Sequence, residues 1–195
     1  MRVIAGEWRG RKLAEPSGRD VTRPTTDRVR EAMASMVDAA LEGGIEGARV
    51  LDAFAGSGAL GIEMLSRGAS SAVFYDIDRT AAALVKQNLS ALRCAPSRGR
   101  VVCGDVIAHA ERGRLSGGPF DLVLIDAPYA LGPEPAERLL GALAGNGLLA
   151  DGACAVVEHA AGDAGARPSG FEVEREKRYG TISVDLLRYQ GADES

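Results

Sequence analysis

Arg49-Val50-Leu51-Asp52-Ala53-Phe54-Ala55-Gly56-Ser57-Gly58-Ala59-Leu60-Gly61 decides how the chain is read. A short apolar run ends in an acid, a glycine-rich turn follows, and residues 59–67 read as a helix stopped by Gly68. Strand, glycine turn and helix in that order form the first unit of a parallel α/β sheet. The pattern continues outward. Residues 72–76 form a second strand, and Asp78 caps a helix with Ala81, Leu84, Val85, Leu89 and Leu92 mostly on one face. Residues 101–103 are a third strand, and residues 120–125 a fourth, whose near-continuous apolar run implies burial on both faces. A helix is predicted over 135–143, and residues 148–158 contain a fifth strand. Residues 171–178 and 181–189, split by Tyr179-Gly180, read as a hairpin that closes the sheet with an antiparallel strand. The predicted fold is therefore α/β and Rossmann-like: a mostly parallel seven-stranded sheet with an antiparallel C-terminal hairpin and helices on both faces.

Ahead of this core, Val3-Ile4 and Arg11-Lys12-Leu13 around Gly10 suggest a small hairpin. Pro24 then leads into a helix with Thr25 as its expected cap, and Val29, Ala32, Met33, Met36, Val37, Ala40 and Leu41 recur at helical spacing. That stripe is core. Residues 1–44 are expected as a basic hairpin and helix packed on residues 45–195, the whole forming one structural domain. The chain has 195 residues, 46% hydrophobic and 26% charged, as a soluble globular protein has. It shows neither a secretory leader nor an apolar run of membrane-spanning length, so the expected compartment is the cytoplasm, with no membrane partner. Cys94, Cys103 and Cys154 are scattered, and His109 and His159 have no ligand-like spacing, so no metal is expected. Net charge is −4, yet residues 1–30 hold eight Arg or Lys against four acids, leaving fifteen against twenty-three in the remainder. A local basic end is how an acidic protein can still offer a surface to phosphate.

The glycine turn alone admits a dinucleotide or S-adenosylmethionine, since Asp76 ends the next strand where an acid takes ribose hydroxyls. Asp52 separates the two. A carboxylate at the strand tip repels the phosphates of a dinucleotide and attracts the ammonium and sulfonium of S-adenosylmethionine. Asp105, after the third strand, can accept a hydrogen bond from an adenine amino group, or can serve only as a helix cap. The charge pattern favours the class I S-adenosylmethionine-dependent methyltransferase fold. At the end of the fourth strand stands Asp126-Ala127-Pro128-Tyr129. An exocyclic base amine is a poor nucleophile because its lone pair is delocalised into the ring. A carboxylate (Asp126) and a backbone carbonyl (Ala127) can accept its two N–H groups and aim the lone pair at the methyl carbon, while Tyr129 stacks on the base.

Arg23-Pro24-Thr25-Thr26-Asp27-Arg28-Val29-Arg30-Glu31, together with the segment from Val50 to Gly61 and the Asp126-Ala127-Pro128-Tyr129 run, resembles the RsmD family of bacterial methyltransferases. The similarity runs nearly end to end, from Met1-Arg2-Val3-Ile4 to Arg178-Tyr179-Gly180. It implies methyl transfer to the N2 amine of a guanine in 16S ribosomal RNA; the expected partner is that RNA within a small-subunit particle, with naked RNA and the full ribosome as the open alternatives. Carried onto this chain, it implies cofactor contacts at Asp52, Gly56, Gly58, Asp76 and Asp105, with Phe54, Ser57, Ile77 and Val106 beside them. It also implies a target-amine site at Asp126, Ala127, Pro128 and Tyr129. The family has two prolines after the aspartate, and here the first is Ala127. The expected RNA surface is Arg9, Arg11, Lys12, Arg23, Arg28 and Arg30, with Trp8 either stacking on RNA or packing beneath its hairpin. Three rival readings stand beside this one: an N6-adenine methyltransferase on DNA or RNA, a nicotinamide-dependent oxidoreductase, and a catalytically silent RNA-binding module.

Overall fold

The computed structural model describes residues 1–16 and 26–191. The elements follow in order as α1 (Asp27–Ala40), β1 (Arg49–Asp52), α2 (Ala59–Ser66), β2 (Ser71–Asp76), α3 (Arg79–Ala91), β3 (Gly99–Cys103), α4 (Val106–Glu111), β4 (Phe120–Ile125), α5 (Glu134–Gly145), β5 (Leu149–Ala160), β6 (Phe171–Tyr179) and β7 (Ile182–Tyr189). A 3-10 turn over Tyr129–Leu131 follows β4. The strands form one sheet in the order β3-β2-β1-β4-β5-β7-β6. Only β7 runs antiparallel, inserted between β5 and β6. Strand order reverses between β1 and β4, the switch point beyond whose carboxyl ends sheets of this kind bind ligands.

Alternation along the strands sorts side chains into two layers. Val50, Phe74, Leu122, Leu124 and Val156 face α1, α2 and α3. Leu51, Tyr75, Val123, Ile125 and Val157 face α4 and α5. Helices therefore cover both faces, as the apolar run of β4 requires. Two elements escape the sequence reading: α4 has only six residues, and the turn at Tyr129 has three. The helix cap falls one residue later than expected, on Thr26, whose side chain accepts from the Val29 amide. Pro24 and Thr25 lie outside the described residues.

The amino-terminal hairpin closes through Arg2 and Lys12 and lies along α2 and α3. Glu63, 1% exposed, accepts the amides of Ile4 (2.8 Å) and Ala5 (3.1 Å) while pairing with Arg67. The Trp8 amide donates to Ser66 Oγ, and the Trp8 ring packs in the core beneath the Arg98 guanidinium, 5.4 Å from the ring centre. Asn88 accepts from the Ala14 amide and donates to the carbonyls of Ala14 and Ser57, tying the hairpin to the glycine turn. Glu63→Ala leaves two half-buried amides without their acceptor, so unfolding in urea should show a loss of about 1–3 kcal/mol. An unchanged midpoint would mean that the hairpin hangs on other contacts.

Candidate active site

Each carboxylate expected from sequence sits at the carboxyl end of a strand. Asp52 ends β1, is 2% exposed, and accepts the Gly61 amide at 2.9 Å. That bond ties the strand tip to the first turn of α2. Gly61 must lack a side chain, because a Cβ there would lie 2.4 Å from the Phe74 ring and 2.8 Å from the Asp52 carboxylate. Gly56 has φ +54° with open space where a Cβ would stand, so the backbone is bare on the side from which a ligand approaches. Gly58 serves packing instead, since a Cβ there would press on Val85 at 3.0 Å.

Asp76 ends β2 and accepts the Gly56 amide (2.8 Å) on one oxygen and the Asp78 amide (2.9 Å) on the other. Each oxygen keeps a lone pair for a hydroxyl. Ile77 beside it is 73% exposed, an apolar platform at the strand end, and Phe54 is half-buried across the turn. Ser57 is half-buried in the turn, its carbonyl held by Asn88. Asp105 caps α4 by accepting the Ala108 amide at 3.0 Å, so the cap role is present whatever else its second oxygen does. Val106, expected beside the cofactor, instead turns its side chain into the core under α4. Only its backbone is placed to meet a ligand.

Beyond β4, Asp126 and Ala127 are half-buried, while Pro128 and Tyr129 are exposed. The register sets Asp52 beside Leu124, and Leu124 beside Val156. Continuing the alternation by two residues brings Asp126 and Glu158 to the same face as Asp52. Asp52 ends β1, Asp126 follows β4, and Glu158 stands beside them two residues before the end of β5. Glu158 was not singled out from sequence; it is 4% exposed and accepts the Tyr129 hydroxyl through Oε1. Its position follows only from the pairing of β4 with β5, and the one local sign was an acid in an apolar strand.

This clustering sets the electrostatics. Burial pushes the Asp52 carboxyl up to about 7; the Gly61 amide opposes the shift and Asp76 adds to it. Asp126 is held above the usual carboxylate range by burial first, then by Glu158 and Asp52. The Tyr129 hydroxyl is raised by burial and by its bond to Glu158. Burial and mutual repulsion favour the protonated forms of these carboxyls until a cation arrives. A cationic ligand lowers the cost of ionising them and a diphosphate raises it, which argues against a nicotinamide dinucleotide. Among the described residues no group of three or more His, Cys, Asp or Glu is placed to hold a metal ion.

The expected RNA surface divides. Arg9, Arg11, Lys12 and Arg28 are exposed. Arg30 is 1% exposed, its guanidinium donating to the Arg2 carbonyl and to Asp27 (each 2.7 Å), so it braces the hairpin and offers nothing to solvent. Arg23 lies outside the described residues. The hairpin tip docks on the last turns of α2 and α3, through Ser66 and through the Ala91 carbonyl that takes the Arg11 guanidinium. Both helices run back from the carboxyl ends of the strands, so Arg9 and Arg11 lie at the end of the sheet opposite Asp52 and Asp126.

Sheet order and switch point define the class I S-adenosylmethionine-dependent methyltransferase fold. The family model described as Conserved hypothetical protein 95 matches residues 1–188, and the chain belongs to that family, the RsmD family of methyltransferases. It is 35% identical over 196 residues to Ribosomal RNA small subunit methyltransferase D of Escherichia coli (strain K12), covering 100% of this chain and 93% of that protein. The E. coli protein yhhF superposes with a TM-score of 0.81 at 34% identity, covering 98% of this chain and 99% of that one. Magnesium protoporphyrin IX methyltransferase from Synechocystis PCC 6803, solved with bound SAM, shares the fold at a TM-score of 0.61 and 19% identity over 83% of this chain and 78% of that one.

Because the folded Asp52 titrates near 7 and an unfolded aspartate near 3.8, the folded state binds the extra proton between these values. The unliganded protein should therefore lose stability from this group as pH rises through that window. In urea titrations at about pH 5 and about pH 8, Asp52→Asn should flatten the decline. An identical slope in both proteins would show that Asp52 titrates normally.

Proposed function

We propose that the protein transfers a methyl group from S-adenosylmethionine to the exocyclic N2 amine of a guanine in 16S ribosomal RNA. The observation that carries this reading is the row of acids on three neighbouring strands, Asp52, Asp126 and Glu158, with Asp126 in the middle. When bound, the cofactor supplies an electrophilic methyl group on a cationic sulfur. Asp52 offers it negative charge already removed from water, directly or through a water. Asp76 has lone pairs for the ribose hydroxyls, Asp105 has one for the adenine amine, and Ile77 presents an apolar face.

On the β4 side, the Asp126 carboxylate and the Ala127 carbonyl accept the two N–H groups of the target amine. Holding both hydrogens draws the nitrogen lone pair out of conjugation and toward the methyl carbon. Pro128 biases Ala127 toward extended backbone, and Tyr129, exposed at the mouth, stacks on the base. The methylated nitrogen is acidic and sheds its proton after transfer, so Asp126 need not act as a base beforehand. Arg9, Arg11, Lys12 and Arg28 contribute phosphate contacts. Arg9 and Arg11, at the end of the sheet away from the acids, suit an extended substrate, a small-subunit particle rather than a short oligonucleotide. The N6-adenine alternative uses the same β4 chemistry; the named relatives support ribosomal RNA of the small subunit, and the run from Arg23 to Glu31 supports guanine through the family resemblance. The intact acid row argues against a silent RNA-binding module.

The deciding experiment is methyl transfer to small-subunit particles that lack the modification, with the labelled nucleotide mapped and its nucleoside identified by mass. N2-methylguanosine in 16S RNA is expected; N6-methyladenosine, or no transfer, overturns the proposal. Asp126→Ala should lower kcat by about 100- to 1,000-fold while leaving affinity for S-adenosylhomocysteine within a few-fold. Restoring proline at Ala127 fixes one backbone angle, worth about 0.4–1 kcal/mol. It should therefore change kcat by less than about fivefold, and a change of orders of magnitude would contradict this account of Ala127.

A further inference from the structure

We propose that the groove beside the β6–β7 turn carries the RNA strand onward from the target nucleotide, with Lys177 and Arg178 holding its phosphates. The assignment rests on the reading above in taking an RNA base at Asp126. β7 runs antiparallel to both β5 and β6, so the last residues of β5 and β6 and the turn into β7 stand at the same end of the sheet as Asp126. There a groove of about 380 Å³ opens between residues 163–167 and the β6–β7 hairpin, within the size range of ligand clefts. His159, Asp163 and Ala164 line both this groove and the small cavity beside Ala127 and Tyr129, so one surface leads from the target mouth to the hairpin. The proposed cofactor contacts occupy the other half of the sheet, over β1, β2 and β3. A polynucleotide whose base sits at Asp126 therefore has β5, β7 and β6 as its open path.

The charges of the groove are sorted to suit a polyanion. Arg167 spends its guanidinium on two acids, Asp185 at 3.1 Å and Glu176. Asp185 is 2% exposed and also faces His159 Nε2 at 3.3 Å, so its charge is kept inward. What remains is Asp163 against Lys177 and Arg178, all three exposed. Among the described residues neither of these cations pairs with an acid. The Gly180 carbonyl accepts from Arg178 Nε at 3.0 Å, which holds the guanidinium beside the turn with its Nη groups left for phosphate oxygens. A fork ordered in advance loses less freedom on binding than a loose side chain does. Arg9 and Arg11 lie at the opposite end of the sheet, so the carboxyl end needs cations of its own to hold the strand whose base enters there. Lys177 and Arg178 supply them.

The test compares three proteins on small-subunit particles that lack the modification, across a series of salt concentrations: wild type, Lys177→Gln with Arg178→Gln, and Lys177→Arg with Arg178→Lys. Removing both charges should raise KM about tenfold near physiological salt, with the loss in KM and not in kcat. The slope of log KM against log salt should fall by about one to two units. The charge-preserving pair should keep the wild-type slope. Heat shifts with S-adenosylhomocysteine should match in all three proteins, which separates lost RNA contact from misfolding. A photo-crosslinking p-benzoylphenylalanine at Thr181, on the exposed turn, should attach to 16S RNA beside the methylated nucleotide. A wild-type slope in the Gln pair overturns the assignment. So does an equal loss in the charge-preserving pair, or a crosslink found only on a ribosomal protein. A wild-type protein that crosslinks to 16S RNA but methylates no guanine in it would instead reject the proposed function.

Discussion

The site depends on carboxylates that the fold withdraws from water at the place where strand order reverses. Asp52, Asp126 and Glu158 stand on neighbouring strands and repel one another, with the Gly61 amide held by Asp52 and the Tyr129 hydroxyl held by Glu158. A fold tolerates such an arrangement when something arriving from outside relieves it. Here the proposed relief is the cationic cofactor on one side and the target amine on the other. Much nearby detail serves that arrangement. Gly61 is bare so that Asp52 can reach its amide, and Asp76 binds the Gly56 amide so that the turn stays shaped before any ligand enters.

The division of labour between the two ends of the sheet follows from the same plan. At the carboxyl ends the backbone is open and the charge is negative. At the amino ends a hairpin seals the last turns of α2 and α3: Ser66 of α2 takes the Trp8 amide, Arg11 of the hairpin meets the Ala91 carbonyl, and Arg98 just before β3 meets the Leu65 carbonyl. Arg30 belongs to this sealing work, and its loss to the RNA surface explains part of why the basic end of the chain is less exposed than its composition implies. Arg9, Lys12 and Arg28 still carry the positive character outward.

Most of the sheet could be read from sequence because parallel strands buried on both faces leave an unmistakable record: apolar runs at Val50, Ala72 and Phe120, each ending in an acid or a glycine turn. Asp52, Asp76 and Asp126 were legible for the same reason, since each closes its own strand. Glu158 was not, because its meaning lies in what stands beside it on another strand, and register across β4 and β5 cannot be taken from either alone. Asn88 was missed similarly: a polar residue on a helical face becomes significant only when the hairpin and the glycine turn meet at it. Val106 and Arg30 were placed near function by their neighbours in sequence, and side-chain direction sent both inward. The short α4 was missed because six residues hardly complete a helical period.

The hairpin's anchors bear on how the chain is made. Glu7 meets Arg98, 91 residues downstream, and the backbone near Trp8 waits for Ser66, 58 residues downstream. The hairpin therefore has no docking place until α2, α3 and the start of β3 have followed it. During synthesis this basic segment must travel undocked, and the folded unit is stitched shut by a stretch made before its own anchors.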